Sequence, residues 1–311
     1  MEIEQNNNII NIGNYFSRDF VFLTNNGTYS IVLALLSASL PPKSNVIIPS
    51  ICCPAVLSAV QIANLKPVIA DVSKETFCMG ITDIEQVYDE SCSAIIAVHS
   101  FGRPCNIADI EEFCKKKGVF LIEDACLAYG ETLNAQKLGS FGDISILSFG
   151  YDKPLDCGGG GAILTNKRSL SKTLENFIKK NPLFRISYKS NKTLMDRFGK
   201  LDNLVKIRVN NVKKYLRGIK SKRLILPTNE YAFWRLPLII ENQRDQFLEK
   251  AEQKGLIFTT HYKSLSSFST NSITPVADYL DSVLINLFTR PETGSEVISN
   301  TIEFINEFYN D

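Results

Sequence analysis

Histidine is scarce in this chain: its 311 residues include two, His99 and His261. Eight cysteines are present, but no two are spaced as CxxC; Cys52 and Cys53 are adjacent, and the other six are scattered. That combination argues against a zinc site and leaves little room for a Ser-His-Asp triad. The thiols are expected to be small buried hydrophobes. The P-loop pattern, GxGxxG, GxSxG and HExxH are all missing, which removes the nucleotide hydrolases, the dinucleotide fingerprint, the α/β-hydrolase elbow and the zincins. Charge of one sign is also lacking. The formal net charge is +1, so nothing favours nucleic acid or an anionic membrane as a partner. No apolar run reaches the length of a membrane span. The first residues, MEIEQNNNIINIGNYF, are acidic and polar where a signal peptide is basic and then apolar. A cytoplasmic protein is expected.

What is present is an ordinary globular composition, 44% hydrophobic and 22% charged, long enough for a large core and two domains. Residues 20–24 (FVFLT), 45–49 (NVIIP), 67–72 (PVIADV), 94–99 (AIIAVH) and 119–123 (VFLIE) are continuous apolar runs rich in Ile and Val. Helical periods at 31–40, 55–63, 83–88 and 107–117 separate them. Thr28 is a candidate cap for the first of these helices, with Asn26-Gly27 as the turn before it, and Asn106 is a candidate cap for the last. Strands of this kind, alternating with helices, predict an α/β fold: a mostly parallel sheet covered on both faces. Ligands of such sheets sit beyond the carboxyl ends of the strands. Thr24, Asp124 and Lys153 lie at or just past such ends.

Lys153 stands in a short turn between the apolar runs Ile144–Phe149 and Ala162–Leu164, followed by four glycines, Gly158 to Gly161. A partly desolvated lysine at a strand end can be tuned to attack a carbonyl, and glycines let a ligand approach the backbone. A solvated lysine on a surface turn is the plainer alternative. Asp124 closes VFLIED, where it fits a magnesium ligand, a general base, a partner for a buried cation, or simply a helix cap or a solvated loop acid. Lysine and aspartate at neighbouring strand ends of one sheet make a shared site. Gly27, opening a helix, offers free N–H groups and a positive dipole end to a phosphate; an ordinary capped helix has the same pattern.

After Thr165 the texture changes. Residues 167–224 are rich in Lys and Arg and poor in acids, with a helix expected over 201–216. This is either a solvated helix face or a surface that receives a phosphorylated substrate. Residues 226–311 alternate strands (232–236, 238–241) with helices (243–254, 294–309), as a smaller α/β domain does. The expected division is 1–175, a helical connection over 176–225, and 226–311.

Taken in order, NGTYS (26–30), NVIIPS (45–50), KPVIADV (66–72), AVHSFGRP (97–104), LIEDACLAYG (121–130), LGSFGDISILSFGYDK (138–153) and GGGGAILTN (158–166) resemble the DegT/StrS-type sugar aminotransferases, which use pyridoxal phosphate. The resemblance runs from about residue 22 to the C-terminus. It implies the aspartate aminotransferase-like fold, with a seven-stranded-type sheet in the large domain. It implies that Lys153 bears the cofactor and later moves protons, and that Asp124 keeps the pyridinium nitrogen protonated so that the ring is an electron sink. Gly27, Thr28 and Ser148 would hold the cofactor phosphate, Arg185 would reach the phosphate in a neighbouring subunit of a homodimer, and His261 and Tyr262 would stand near the substrate mouth.

The departures are specific. Where the family has a Gln or His near the ring oxygen this chain has Leu127, and where an aromatic ring stacks on the cofactor it has Cys53. A glutamate is replaced by Gly159, the Asn of an Asn-Tyr-Arg segment by Leu183, and a second histidine by Ser266. A related dehydratase branch has histidine in place of the lysine; Lys153 argues against that activity. The expectation is an aminotransferase that moves an amino group, with glutamate as donor, to a nucleotide-linked keto sugar. A pyridoxal phosphate enzyme of drifted substrate or reaction, or a homologue that only binds, stays open beside it.

Overall fold

The computed structural model describes residues 2–268 and 272–309, with side chains from residue 9 onward. The strands are β1 (Phe20–Thr24), β2 (Asn45–Pro49), β3 (Lys66–Ala70), β4 (Cys92–Val98), β5 (Phe120–Asp124), β6 (Thr132–Leu133), β7 (Gln136–Lys137), β8 (Ile144–Ser148), β9 (Gly161–Thr165), β10 (Leu224–Ile225), β11 (Arg235–Ile240) and β12 (Leu284–Phe288). The α-helices are α1 (Glu2–Phe16), α2 (Gly27–Ser37), α3 (Pro54–Ile62), α4 (Ile81–Val87), α5 (Ile107–Lys117), α6 (Arg168–Lys180), α7 (Tyr188–Phe198), α8 (Leu201–Gly218), α9 (Arg244–Gln253), α10 (Pro275–Val283) and α11 (Ser295–Tyr309).

Seven strands form one sheet in the order β1-β9-β8-β5-β4-β2-β3. β9 runs antiparallel to both its neighbours, and the other six point one way. The mostly parallel sheet expected from the apolar runs is therefore present. Burial explains those runs. Ile47 and Ile95 face one core, while Val46, Ile48, Ala94 and Ile96 face another that contains α2 and α3. Both faces of β2 and β4 are buried from Val46 and Ala94 onward, so neither set of alternate residues there is polar. The first of these cores continues without a break into the three-stranded antiparallel sheet β10-β11-β12 and the aromatic contacts of Phe247 with Phe304 and Phe308.

Three local expectations need correction. α2 begins at Gly27, and its cap is Asn26, whose Oδ1 accepts from the N–H of Tyr29 at 2.8 Å. Thr28 lies inside the first turn. Asn106 starts α5 without a side-chain cap bond and donates instead to Asp109. The two strands expected at 232–236 and 238–241 are one, β11, running through Pro237. Asn286, opposite Pro237, turns its own N–H and C=O toward Thr259. Pro237 therefore needs no N–H on the β12 side, and β10 pairs only with Ile239 and Ile240. A proline is tolerated where no ladder bond is due.

The 3₁₀ turn Ser100–Gly102 docks the large sheet onto β11, with the N–H of Trp234 donating to the carbonyl of Phe101 at 2.7 Å. Gly102 has φ +90°, and a Cβ there would lie 2.7 Å from Trp234 N and 2.9 Å from Leu127 O. Gly102→Ala is expected to destabilise the fold by about 3 kcal/mol, combining left-handed strain with overpacking against backbone. A urea midpoint unchanged from the parent would refute this account of the junction.

Candidate active site

The carboxyl ends of β5 and β8 and the start of α2 converge. Asp124 ends β5; its carboxylate is buried at 6% exposure, accepts from the N–H of Cys126 at 3.0 Å, and has no ion-pair partner among the described residues. Its neighbour Glu123 points to the other face of the strand. There Glu123 accepts from His99 Nε2 (3.0 Å) and from the N–H groups of Gly139 and Phe141 (2.8 Å each). His99 Nδ1 accepts from the N–H of Cys105 at 3.0 Å, so the proton of its neutral ring is on Nε2. This fully paired knot ties the loop before β8 to the sheet and fixes the backbone that carries Asp124.

Ser148 ends β8 and faces the first turn of α2. A Cβ on Gly27 would come within 3.1 Å of Ser148 Cβ and 3.3 Å of both Ser148 Oγ and Cys126 Sγ. The helix start therefore presses directly against Ser148 and Cys126, with the early N–H groups of Gly27 and Thr28 at its positive end. Gly160 and Gly161 are packed just as closely, Gly161 against Asn26 and Leu147, whereas Gly158 faces open space.

Lys153 is half-buried in the turn after β8, with Nζ 5.5 Å from the centroid of the Trp234 ring. Its charge and that of Asp124 act on the same thiol. Burial pushes Cys126 well up, Asp124 pushes it further, and Lys153 opposes them. Trp234 stacks on Tyr262 (5.8 Å, 12°), which lies against Phe101 in turn (5.6 Å, 34°). Burial raises the Tyr262 phenol well above its usual range, helped by Cys53, Cys52 and Asp124. His261 sits edge-on to Trp234, with Nδ1 3.0 Å from Arg235 Nη1. Burial and then the charges of Arg235 and Lys153 hold His261 below its ordinary range.

The residue before Lys153 is the best anchored in the site. Asp152 has φ +62° and a buried carboxylate between Arg208 Nη2 (3.4 Å to Oδ1) and the Nε and Nη2 of Arg235 (3.4 Å each to Oδ2). Arg208 also donates to the carbonyls of Asp152 (2.9 Å), Lys153 (3.4 Å) and Trp234 (3.0 Å).

Of the residues singled out in the sequence, Lys153, Asp124, Gly27, Ser148, His261 and Tyr262 are thus brought to one place, and Thr28 follows Gly27 on the same turn. Cys53 is exposed and stands at the N-cap of α3. Leu127 is buried in the core that also contains Phe101 and Trp234. The backbone of Phe184 and Arg185 pairs with Asn25 and Thr24 beside the site, but the exposed Arg185 guanidinium is turned to the carbonyls of Ile178 and Lys179 at the end of α6. Sequence reasoning missed Trp234, Arg235, Asp152 and Arg208. A cleft of about 1200 Å³ lies at the opposite, amino end of the parallel strands by Ser44, Val119 and Lys167 and touches none of these groups, whereas a cleft of about 260 Å³ lies against Asp152, Lys153 and Arg208. The chemistry, and not cavity size, locates the site.

No helix among the described residues is long and apolar enough to cross a membrane. Residues 10–306 match the model of the DegT/DnrJ/EryC1/StrS aminotransferase family. The chain is 26% identical to the GDP-perosamine synthase of Escherichia coli O157:H7 over 92% of its own length and 85% of that protein's. It is 31% identical to the 3-oxo-glucose-6-phosphate:glutamate aminotransferase of Bacillus subtilis over 69% of its length and 48% of that enzyme's. Its fold superposes with a TM-score of 0.91 on a Brucella abortus DegT DnrJ EryC1 StrS aminotransferase, at 23% identity, covering 99% of this chain and 91% of the other.

Proposed function

The chain belongs to the DegT/DnrJ/EryC1/StrS aminotransferase family and is a pyridoxal phosphate-dependent aminotransferase, and on that footing we propose that it carries an amino group from glutamate to the ketone of a nucleotide-linked sugar. The observation that supports this reading most is the pair Lys153 and Asp124, Asp124 ending β5 and Lys153 in the turn after the adjacent strand β8, beside the start of α2. The acceptor class rests on the GDP-perosamine synthase relative, and the donor on the glutamate named for the Bacillus subtilis relative.

The residues present fit the cofactor. Gly27 leaves a cradle at the helix start that a Cβ would fill, bordered by the Ser148 hydroxyl, as a phosphate dianion requires. Asp124 is a buried carboxylate outside any ion pair among the described residues, suited to a protonated ring nitrogen. Gly27, Thr28 and Ser148 would hold the phosphate, Asp124 the ring nitrogen and Lys153 the reactive carbon. Cys53 and Leu127 would border the ring without the stacking or hydrogen bonding of the family's usual residues. When bound, the cofactor supplies an electron sink that lets an amino acid's α-C–H bond break heterolytically. Lys153 Nζ takes that proton and returns it to the neighbouring carbon. Asp124 keeps positive charge on the ring nitrogen throughout. Tyr262 and Trp234, buried and stacked, keep water from one side of Lys153. The donor's amine-bearing carbon becomes a ketone, and the sugar's ketone carbon becomes an amine.

We further propose a cytoplasmic homodimer and the division at 175 and 225. Leu183 (69% exposed) and Tyr188 (64%) are an apolar edge for a second copy. For Arg185 to reach a phosphate across that seam, its guanidinium must leave the two carbonyls it now holds.

The test is the half-reaction. Enzyme loaded with cofactor and given glutamate alone is expected to release 2-oxoglutarate stoichiometrically and stop, then to turn over again when a nucleotide keto sugar is added. Absence of oxo acid with either glutamate or glutamine would sink the donor assignment. Release that continues without sugar would sink the acceptor.

A further inference from the structure

Among the described residues, Arg235 is the side chain that touches both the residue before Lys153 and His261. From β11 its Nε and Nη2 reach Asp152 Oδ2, while Nη1 donates to Thr259 Oγ1 at 2.8 Å and lies 3.0 Å from His261 Nδ1. Guanidinium has five donors and no acceptor. The Nδ1 of His261 must therefore be the acceptor and carry no proton, which places the ring's hydrogen on Nε2, on the side away from Arg235. The backbone on which the ring stands is held as well, since the N–H of His261 donates to Asn286 Oδ1 at 2.8 Å.

We infer that Arg235 is a positioning residue that locks His261 in its neutral Nε2–H form, as a fixed hydrogen-bond donor to an oxygen of the sugar substrate. The inference rests on the aminotransferase reading for the presence of that substrate beside His261 and for its identity. Protonating His261 would turn Nδ1 into a donor against a donor. The groups that face the ring act mostly in one direction. Arg235 on β11 and Lys153 on the turn after β8 oppose a second positive charge, Asp152 beside Lys153 favours it, and Trp234, Tyr262 and Asn286 are uncharged. His261 accordingly donates, and does not act as a proton-transfer group, across neutral pH.

The chain's two histidines make this directly measurable on the cofactor-free protein. Two-bond ¹H–¹⁵N correlation of the imidazole rings is expected to show both as neutral Nε2–H. His99, locked by Cys105 and Glu123, is an internal reference. His261 should keep its pattern down through about 6.5, where a free imidazole is half protonated. Arg235→Gln should raise the pH at which His261 takes up a proton, with the His99 signals as the reference. In the loaded enzyme the same change should raise KM for the sugar roughly tenfold, the worth of one hydrogen bond, with KM for glutamate within about twofold. An Nδ1–H pattern, or ordinary titration of His261 in the parent protein, overturns the inference while leaving the aminotransferase reading intact. So does Arg235→Gln if His261 is unchanged, or if KM for the sugar rises no more than KM for glutamate. Failure of the glutamate half-reaction in the parent enzyme would instead remove the substrate and leave the tautomer standing.

Discussion

Lys153→Ala is expected to lower turnover by roughly 10²–10⁴-fold or more, the range a positioned general acid–base contributes, and to leave the melting temperature near that of the parent. The two effects separate because the fold does not depend on this side chain. The turn is held from either side by Asp152 and its two arginines and by the Arg208 contact to the Lys153 carbonyl. The Lys153 side chain is half-buried beside Trp234 and forms no ion pair among the described residues. Borohydride treatment of the loaded parent should add the cofactor's mass to the peptide containing Lys153, and the alanine variant should gain none. An alanine variant within tenfold of the parent rate would mean that the proton is moved by another group.

Asp124→Asn should cost roughly 10²–10³ in kcat, the usual loss when a buried electrostatic partner of a developing charge is removed. KM should change little. An asparagine oxygen can still accept from the N–H of Cys126, and the substitution removes a buried charge that has no ion-pair partner among the described residues. Stability is therefore expected to hold or to rise slightly. The discriminating measurement is the substrate isotope effect with α-deuterated glutamate. It should increase in the variant as C–H cleavage becomes rate-limiting. An unchanged rate and isotope effect would mean that Asp124 does not support charge on the ring.

The large sheet was legible because its strands are buried on both faces, so Ile and Val follow one another without polar interruption. Asp124 and Lys153 were legible as a pair because a parallel sheet gathers strand ends, whatever the distance along the chain. Capping was less so. Asn26 and Thr28 both have the chemistry for an N-cap, and only the backbone of Asn26, at φ −166° and ψ 170°, decides between them. Pro237 reads as a break between strands until the short reach of β10 is known. The group around Asp152 was out of reach. Arg208 lies 56 residues from Asp152 and Arg235 lies 83 away, and each reads locally as one more cation in a helix or an apolar strand. Cys53 and Leu127 illustrate a different limit. Their sequence positions say which usual group is missing, but not that one is an exposed thiol and the other a core side chain.

The bracing of Asp152 by Arg208 and Arg235 also sets an order of events during synthesis. All seven strands of the large sheet have been synthesised once residue 165 is made, yet both cations that neutralise Asp152 belong to the part translated afterwards. Until α8 and β11 dock, the left-handed turn at Asp152 lacks one or both of its counter-charges, and the lysine next to it is not fully braced. Closing the longer of these loops carries an entropy cost that grows only slowly with its length, so the wait is one of sequence order more than of energy. A chain cut back to the end of β9 would have all the strands of the sheet and the helix start but an unbraced lysine turn. Competence for the cofactor is then a property of the finished polypeptide, acquired in its last third.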